Sequence, residues 1–258
     1  MAAAIILLFL TLCGPLPKIK HRFIVVCHRG DHTQAPENTL EAFSNAIKDG
    51  ADFVEIDLRT TVDSQLVIMH DATVDRMTDG KGFVKDLTFD AIRKLKVKGG
   101  APVPTFGEVL ELCKDKINIY LDFKNADPAQ AYKEILAAGM EKQVVVYLNA
   151  EQQYYKWRAA APDMPLMVSL PGSIKKDTTA MKDFLGKARV EILDGDYNEY
   201  TADMVTVANR LGCLVLPDIE GPKESPELWS IPIGMGVRAL QTDHPADLIH
   251  YLEEQHLR

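Results

Sequence analysis

The chain has 258 residues, of which 47% are hydrophobic and 26% are charged. This composition excludes a wholly disordered protein and supplies enough apolar residues for one large core. Its 37 aspartates and glutamates outnumber its 29 lysines and arginines, and the resulting net charge of −8 disfavours nucleic acid as a partner. The length suits either two ordinary domains or one α/β barrel.

The chain begins with an apolar run from Ala2 to Cys13. The run is too short to span a bilayer and has the length of the hydrophobic part of a secretory leader. We therefore interpret residues 1–22 as an export leader or a membrane anchor. This interpretation predicts an exported protein, either periplasmic, extracellular or membrane-anchored. The alternative is a disordered start on a cytoplasmic protein, because no lysine or arginine precedes the run.

From residue 23 onward, short apolar runs alternate with amphipathic segments. The apolar runs are rich in valine, isoleucine and leucine, as expected of strands that are buried on both faces. The predicted strands are Phe23–Cys27, Phe53–Leu58, Leu66–Met69, Asn118–Phe123, Val144–Leu148, Leu166–Leu170, Val190–Leu193, Leu214–Pro217 and Arg238–Gln241.

The segments between these strands place apolar residues three and four positions apart, which predicts helices. The predicted helices are Asn38–Lys48, Thr105–Lys114, Pro128–Ala138, Ala150–Ala160, Thr179–Lys187, Thr201–Leu211 and Pro245–Glu254. The chain has neither a dinucleotide-binding nor a P-loop glycine motif. No change in composition along the chain marks a domain boundary. We therefore predict that residues 23–258 form a single TIM (β/α)₈ barrel.

The stretch from residue 60 to residue 100 interrupts this alternation. It holds the extra strand Leu66–Met69, a polar glycine-rich segment and a short helix from Thr88 to Leu95. We predict a small insertion after the second strand, polar in character, that caps the mouth of the barrel.

Seven polar residues stand at or just beyond the C-terminal ends of predicted strands: His28, Arg29, Glu55, Asp57, His70, Asp122 and Lys124. In a TIM barrel these ends carry the chemistry. Glu55 and Asp57 are two residues apart, so both point to the same face of their strand. Carboxylates buried there without a partner would be costly, which predicts a bound cation.

Oxygen ligands from Glu55, Asp57 and Asp122 suit a hard divalent ion, Mg²⁺ or Ca²⁺. The imidazoles of His28 and His70 can exchange protons near neutral pH, and Arg29 and Lys124 can donate hydrogen bonds to a phosphate. Together these groups indicate cleavage of a phosphodiester. The alternative is structural, with Glu55–Arg29 and Asp122–Lys124 as ion pairs that tie the barrel together.

The same residues lie in motifs that match a known family in order and spacing. These motifs are HRG at 28–30, PENT at 36–39, GADFVEIDL at 50–58, VIMHD at 67–71, VPTFGEVL at 103–110, YLDFK at 120–124 and LQTDHP at 240–245. Over residues 23–255 the chain resembles the glycerophosphodiester phosphodiesterase family. The resemblance implies a TIM barrel with a small insertion after the second strand. It also implies divalent-cation-dependent hydrolysis of glycerophosphodiesters to an alcohol and glycerol 3-phosphate.

Carried over by position, the resemblance assigns roles to the seven polar residues. His28 and His70 become the acid–base pair, Arg29 and Lys124 the phosphate contacts, and the three carboxylates the metal ligands. Asn38 of PENT is better interpreted as the N-cap of the helix that follows it.

The chain departs from the family pattern at two places. Asp122 stands where the family usually has a glutamate. The segment Leu214–Pro222 lacks the aromatic residue with which many members contact the glycerol group. Asp218 and Glu220 of this segment are therefore candidate specificity residues, which predicts hydroxyl-rich or cationic head groups such as inositol or ethanolamine.

Two other functions remain open from the sequence. One is a lysophospholipase D or a phospholipase C-like lipid phosphodiesterase, although a polar insertion favours small soluble substrates. The other is a barrel that binds a phosphodiester or a glycan without cleaving it. The sequence also leaves open which histidine is the acid and which ion is bound.

Overall fold

The structure of residues 16–258 is described from a computed structural model. The predicted leader, residues 1–22, lies mostly outside the described residues and stays a prediction. Within residues 16–258, every helix is too short or too polar to cross a membrane.

Nine strands form the sheet: β1 (Ile24–Cys27), β2 (Phe53–Thr60), β3 (Leu66–Ile68), β4 (Asn118–Phe123), β5 (Val144–Leu148), β6 (Leu166–Ser169), β7 (Ile192–Asp194), β8 (Leu214–Val215) and β9 (Ala239–Thr242). Eight of them are parallel, in the order β8-β7-β6-β5-β4-β2-β1-β9, and β3 pairs antiparallel with β2. Gln241 closes the ring, because its N–H donates to Pro217 O (3.1 Å) and its carbonyl accepts from Ile219 N (3.0 Å). The predicted TIM barrel is confirmed.

Nine helices accompany the strands in the described chain: α1 (Leu40–Asp49), α2 (Phe89–Lys94), α3 (Phe106–Cys113), α4 (Pro128–Ala138), α5 (Glu151–Ala160), α6 (Thr178–Lys187), α7 (Ala202–Arg210), α8 (Pro226–Gly234) and α9 (Pro245–Glu254). Side-chain caps mark several of their starts. Thr105 and Glu108, for example, form a capping box at the start of α3. The sequence did not predict α8, because Pro232 and Gly234 near its end are poor helix formers.

Two apolar layers hold the barrel. Outward-facing strand residues such as Val25 and Leu121 pack against the helices in the larger cluster. Inward-facing residues fill the barrel in the smaller cluster: Ile24, Val26, Phe53, Tyr120, Val145, Met167, Ile192, Leu216 and Ala239. Because strand side chains alternate, the next inward positions along these strands lie above this plug, at the C-terminal end of the barrel.

The insertion lies where the sequence predicted it, after β2, but it is less polar than predicted. Its strand β3 pairs with β2 through the register Leu58↔Ile68. A third apolar cluster, which includes Val67, Val84 and Ile92, gives the insertion a small core of its own. The polar residues of the glycine-rich segment therefore cover a packed subdomain rather than forming an open polar loop.

Candidate active site

The inward-facing side chains of the barrel change from apolar to ionisable toward the C-terminal ends of the strands. On β2 the inward series is Phe53, Glu55 and Asp57, and on β4 it continues from Tyr120 to Asp122. Asp57 and Asp122 are direct neighbours in the register of these two strands. The strand period of two thus places all three predicted carboxylates on one side of the barrel mouth.

Glu55, Asp57 and Asp122 form a compact group that could hold a metal ion. Each offers one carboxylate oxygen, and these atoms lie within 4.8 Å of one another. Glu55 and Asp57 are almost fully buried, with exposed fractions of 3% and 1%. Burial raises the pKa of Glu55 well above its usual value, and the charges of Asp57 and Asp122 raise it further. Burial likewise raises the pKa of Asp122.

Most oxygens of this group already have a protein donor. The backbone N–H of Arg29 donates to Glu55 Oε2 (2.9 Å), Asn38 Nδ2 donates to Asp57 Oδ2 (2.7 Å), and Asn149 Nδ2 donates to Asp122 Oδ1 (2.6 Å). Lys124 Nζ donates to Asp122 Oδ2. These bonds orient the three carboxylates toward a common point, as neighbouring hydrogen bonds do around metal ligands.

One buried oxygen of the group lacks a hydrogen bond. Asp57 Oδ1 has Lys124 Nζ at 3.1 Å, but the geometry is that of an ion pair and no donor points at the oxygen. A buried carboxylate oxygen without a donor is costly, so it marks a position for another positive group. The donor set, three carboxylates with one unsatisfied oxygen among them, fits a hard divalent cation.

The cationic residues Arg29 and Lys124 also form the ion pairs of the structural alternative. Lys124 contacts both Asp122 and Asp57, and Arg29 Nε lies 3.6 Å from Asp57 Oδ2. Arg29 does not pair with Glu55 through its side chain, as the alternative supposed, but through its backbone N–H. Both cations therefore lie beside the carboxylate group, where they can reach a bound anion.

The backbone turn after β1 sets the position of Arg29 at the barrel mouth. Arg29 has a left-handed φ of 53°, and Gly30 follows with a φ of 80°. A Cβ atom at Gly30 would lie 2.8 Å from the carbonyl carbon of Ala42 and 2.9 Å from the ring of Phe43. Only glycine fits this close approach to α1, which explains the third residue of the HRG motif.

His28 follows β1 and is held by acidic neighbours. Its Nδ1 donates to Asp243 Oδ1 (2.8 Å) and lies 3.2 Å from Glu220 Oε2. Burial nevertheless lowers the pKa of His28 below its usual value, because desolvation outweighs the attraction of Asp243. The ring is therefore mostly neutral at pH 7.

His70 follows β3, so the insertion supplies the second histidine. Its Nδ1 lies 2.8 Å from Asp71 Oδ1. Asp71 is in turn held by Arg76, whose Nε donates to Asp71 Oδ2 (2.7 Å) and lowers the pKa of Asp71. Arg76 also donates to Glu37, which accepts a bond from Arg29 as well. Glu37 thus links the insertion to the turn after β1.

All nine site residues predicted from the sequence line one cavity of about 260 Å³: His28, Arg29, Glu55, Asp57, His70, Asp122, Lys124, Asp218 and Glu220. The cavity has five further lining residues that the sequence analysis did not name: Tyr120, Tyr147, Asn149, Asp194 and Gln241. Asp194 and Gln241 are polar residues at strand ends, and the same criterion would have found them.

The prediction for Asn38 is wrong. The N-cap of α1 is Thr39, whose hydroxyl accepts from Ala42 N (3.2 Å). Asn38 instead has a left-handed φ of 56°, and its amide turns into the barrel to contact Asp57. The two neighbouring residues of PENT thus have different roles: Thr39 caps the helix α1, and Asn38 orients the carboxylate of Asp57.

The chain is similar to known phosphodiesterases. The model of the Glycerophosphoryl diester phosphodiesterase family matches residues 28–247. A glycerophosphodiester phosphodiesterase of Caldanaerobacter subterraneus is 47% identical over 100 residues, which are 36% of this chain and 41% of that relative. The match thus spans less than half of that relative. One from Bacillus subtilis is 28% identical over 90% of this chain and 87% of its own length.

A solved structure has the same barrel. It is a phosphodiesterase of Oleispira antarctica in complex with the product sn-glycerol-3-phosphate. The likeness covers 91% of this chain and 97% of that one, with a TM-score of 0.77 and 20% sequence identity.

Proposed function

Because the chain belongs to the Glycerophosphoryl diester phosphodiesterase family, we propose that it hydrolyses glycerophosphodiesters to an alcohol and glycerol 3-phosphate. We propose further that a divalent cation, Mg²⁺ or Ca²⁺, is held by Glu55, Asp57 and Asp122. The observation that carries the proposal is the convergence of these carboxylates, with one unsatisfied buried oxygen, in the same cavity as two histidines. The glycerol 3-phosphate complex of the Oleispira protein supports the product assignment.

The cavity can hold the phosphate between two kinds of positive group. When bound, the cation would stabilise negative charge that develops on the phosphate oxygens. Arg29 and Lys124 lie beside the same carboxylates and are placed to donate hydrogen bonds to those oxygens. Both side chains are already restrained by their ion pairs, so little conformational freedom is lost when the substrate binds.

The two histidines divide the proton transfers. His28 starts as the base, because burial keeps the ring neutral and its Nδ1 is occupied by Asp243, which leaves Nε2 to accept a proton. His70 then protonates the departing alcohol, and its Nδ1 contact with Asp71 fixes the ring for that task. A water molecule as the attacking group gives glycerol 3-phosphate directly. The neighbouring hydroxyl of the substrate's glycerol as the attacking group gives a cyclic phosphate, which a water molecule then opens to glycerol 3-phosphate.

A second candidate function is hydrolysis of lysophospholipids, and one observation favours it. A larger cleft of about 510 Å³ adjoins the polar cavity, with which it shares Tyr147 and Asn149. Tyr154, Val168 and Phe184 give this cleft a largely apolar lining. The acyl chain of a lysophospholipid would fit such a lining, whereas a water-soluble glycerophosphodiester has no alkyl chain to place there.

One panel of reactions separates these functions. Purified protein is incubated with glycerophosphoinositol, glycerophosphoethanolamine or a lysophospholipid, in Mg²⁺, in Ca²⁺ or in a chelator, and released alcohol and glycerol 3-phosphate are quantified. The proposal predicts cation-dependent release of glycerol 3-phosphate from the water-soluble esters. Cleavage of the lysophospholipid alone would favour the second function. Binding of the esters without cleavage would show a non-catalytic barrel.

A further inference from the structure

The N-terminal end of the barrel, opposite the mouth, carries a cluster of basic residues. Three segments form it: residues 16–22 before β1, residues 114–118 at the start of β4 and residues 139–143 before β5. We call these three segments the basic floor. They hold six basic and two acidic residues, a net charge of +4 in a protein whose net charge is −8. The basic residues are all exposed: Lys18, Lys20, Arg22, Lys114, Lys116 and Lys142.

Hydrogen bonds hold the three segments of the basic floor side by side. Asn118 Nδ2 donates to Lys18 O (3.2 Å), which joins the first segment to the second. The backbone N–H of Asp115 donates to Gln143 Oε1 (3.0 Å), which joins the second segment to the third. Residues from all three segments therefore surround one cavity of about 410 Å³, and four of its lining residues are lysines: Lys18, Lys20, Lys116 and Lys142.

The positive charges of the basic floor are not neutralised by ion pairs. Within residues 16–258, none of its lysines and arginines pairs with a carboxylate. The Nζ atoms of Lys20 and Lys116 donate instead to the backbone carbonyls of Lys116 (3.2 Å) and Leu112 (3.0 Å). Asp52 also lines the cavity, but it is only 4% exposed and is paired with Arg258 (2.7 Å). The basic floor is therefore a positive surface.

The mouth of the barrel has the opposite charge. The cavity there is lined by six carboxylates but only one arginine and one lysine. The six residues of β4 separate the two ends of the barrel by roughly 20 Å. An anionic surface would attract the basic floor and repel the mouth, so the charges of both ends favour the same orientation.

The chain that leads into the basic floor indicates which anionic surface it meets. The apolar run from Ala2 to Cys13 ends five residues before Lys18. Five residues span at most about 18 Å, so a bilayer that took up the run would lie next to the basic floor. A short apolar anchor alone gives weak attachment to a membrane, and a polybasic patch is a common second contact.

We propose that the basic floor binds the surface of a bilayer that contains anionic lipids, with the mouth turned toward the aqueous phase. Each lysine or arginine near such a surface raises the affinity about fivefold. A protein held in this way takes its substrate from the water, which suits a water-soluble glycerophosphodiester. The binding itself does not rest on the proposed function, because it concerns the opposite end of the barrel.

Sedimentation of the full chain with lipid vesicles tests the proposal. Vesicles of phosphatidylglycerol and phosphatidylcholine in equal parts are compared with vesicles of phosphatidylcholine alone. The apolar run contributes to binding of both kinds, so the ratio of the two partition coefficients isolates the effect of charge. The wild type should prefer the anionic vesicles. This preference should shrink in salt, because the Debye length falls from about 10 Å at 0.1 M to about 3 Å at 1 M.

A combined variant removes the four lysines that line the cavity: Lys18→Gln, Lys20→Gln, Lys116→Gln and Lys142→Gln. It should lower the ratio of partition coefficients at least about 100-fold. The double variant Lys18→Gln/Lys142→Gln should lower it at least about tenfold. This second variant keeps the side-chain bonds of Lys20 and Lys116, so it tests the proposal even if the fourfold change disturbs the fold. Circular dichroism checks the fold of both.

The matched control removes four exposed lysines from the insertion, which contributes His70 to the mouth. Its changes are Lys85→Gln, Lys94→Gln, Lys96→Gln and Lys98→Gln, and it should keep the wild-type ratio. A wild-type ratio in the folded floor variants would overturn the proposal. A lowered ratio in the control variant alone would also overturn it, because the mouth would then face the membrane. Binding of the wild type to duplex DNA without a preference for anionic vesicles would show a different partner.

Discussion

Asn38 donates a hydrogen bond from Nδ2 to Asp57 Oδ2 over 2.7 Å, and its Oδ1 lies 3.4 Å from the backbone N of the same residue. The amide of Asn38 thereby contacts both the carboxylate and the backbone N–H of Asp57. Asp57 Oδ1, the oxygen without a hydrogen bond, then faces the ion-pair contact with Lys124 and is the ligand atom that Asn38 does not occupy. Asn38 Oδ1 faces the backbone N–H of Asp57, so we regard Asn38 as a positioning residue.

Asn38→Asp should weaken cation binding without unfolding the protein. Aspartate also tolerates the left-handed backbone at this position, but its carboxylate repels Asp57 instead of donating to it. Loss of such a supporting contact costs about 10–100-fold in metal affinity. Calorimetric titration with Mg²⁺ and Ca²⁺ measures the change. The exposed Asn209→Asp is the control, and equal affinities in the two variants would show that Asn38 does not orient the site.

Asp57→Asn should abolish high-affinity cation binding, because it removes the charge of the most buried ligand. Titration of the purified variant with Ca²⁺ and Mg²⁺ tests this without reference to activity. Asp203→Asn, on the exposed face of α7, should bind as the wild type does. If Asp57→Asn binds either ion with wild-type affinity, the three-carboxylate site is wrong.

His28→Ala and His70→Ala should each lose about 10²–10⁴-fold in kcat. Both rings lie at the barrel mouth rather than in the apolar layers, so circular dichroism should show an intact fold. His250→Ala, whose ring is exposed on α9, should keep full activity. Near wild-type turnover in both cavity variants would refute the acid–base assignment.

The raised pKa of Glu220 makes stability depend on pH in a defined direction. Its pKa is about 8 in the folded protein and about 4.3 in an unfolded chain, so the folded state binds more protons between these values. Stability therefore falls as pH rises through this window. In chelator, the melting temperature of Glu220→Gln should fall less with pH than that of the wild type. The exposed Glu253→Gln should follow the wild type, and a wild-type slope in Glu220→Gln would contradict the assignment.

The sequence predicted the barrel well because its strands are buried on both faces and its helices are amphipathic. The bounds of β4, β5, α4 and α9 agree to the residue. The helix α8 was not predicted because Pro232 and Gly234 have low helix propensity. Burial of Trp229 and Pro232 against the rest of the protein stabilises the helix instead. Tertiary packing of this kind leaves little periodic signal in the sequence.

Site residues could be predicted from the sequence where an ionisable residue stood at the end of a strand whose positions are otherwise buried and apolar. Glu55, Asp57 and Asp122 fulfil that criterion, and the structure brings them together. Asn38 could not be assigned, because an asparagine before a helix fits a cap equally well and only the fold shows that Asp57 lies opposite. Asp243 lies in the motif LQTDHP, but its pairing with His28 could not be inferred, because 215 residues separate the two in the chain.

The most direct test of the account is the release of glycerol 3-phosphate from glycerophosphoinositol by the purified wild-type protein. The rate is followed with Mg²⁺ or Ca²⁺, after addition of a chelator, and after the ion is restored in excess. We expect release that stops in the chelator and resumes with the ion. Release that continues unchanged in the chelator, or no release with either ion, would contradict a cation-dependent phosphodiesterase at this barrel mouth.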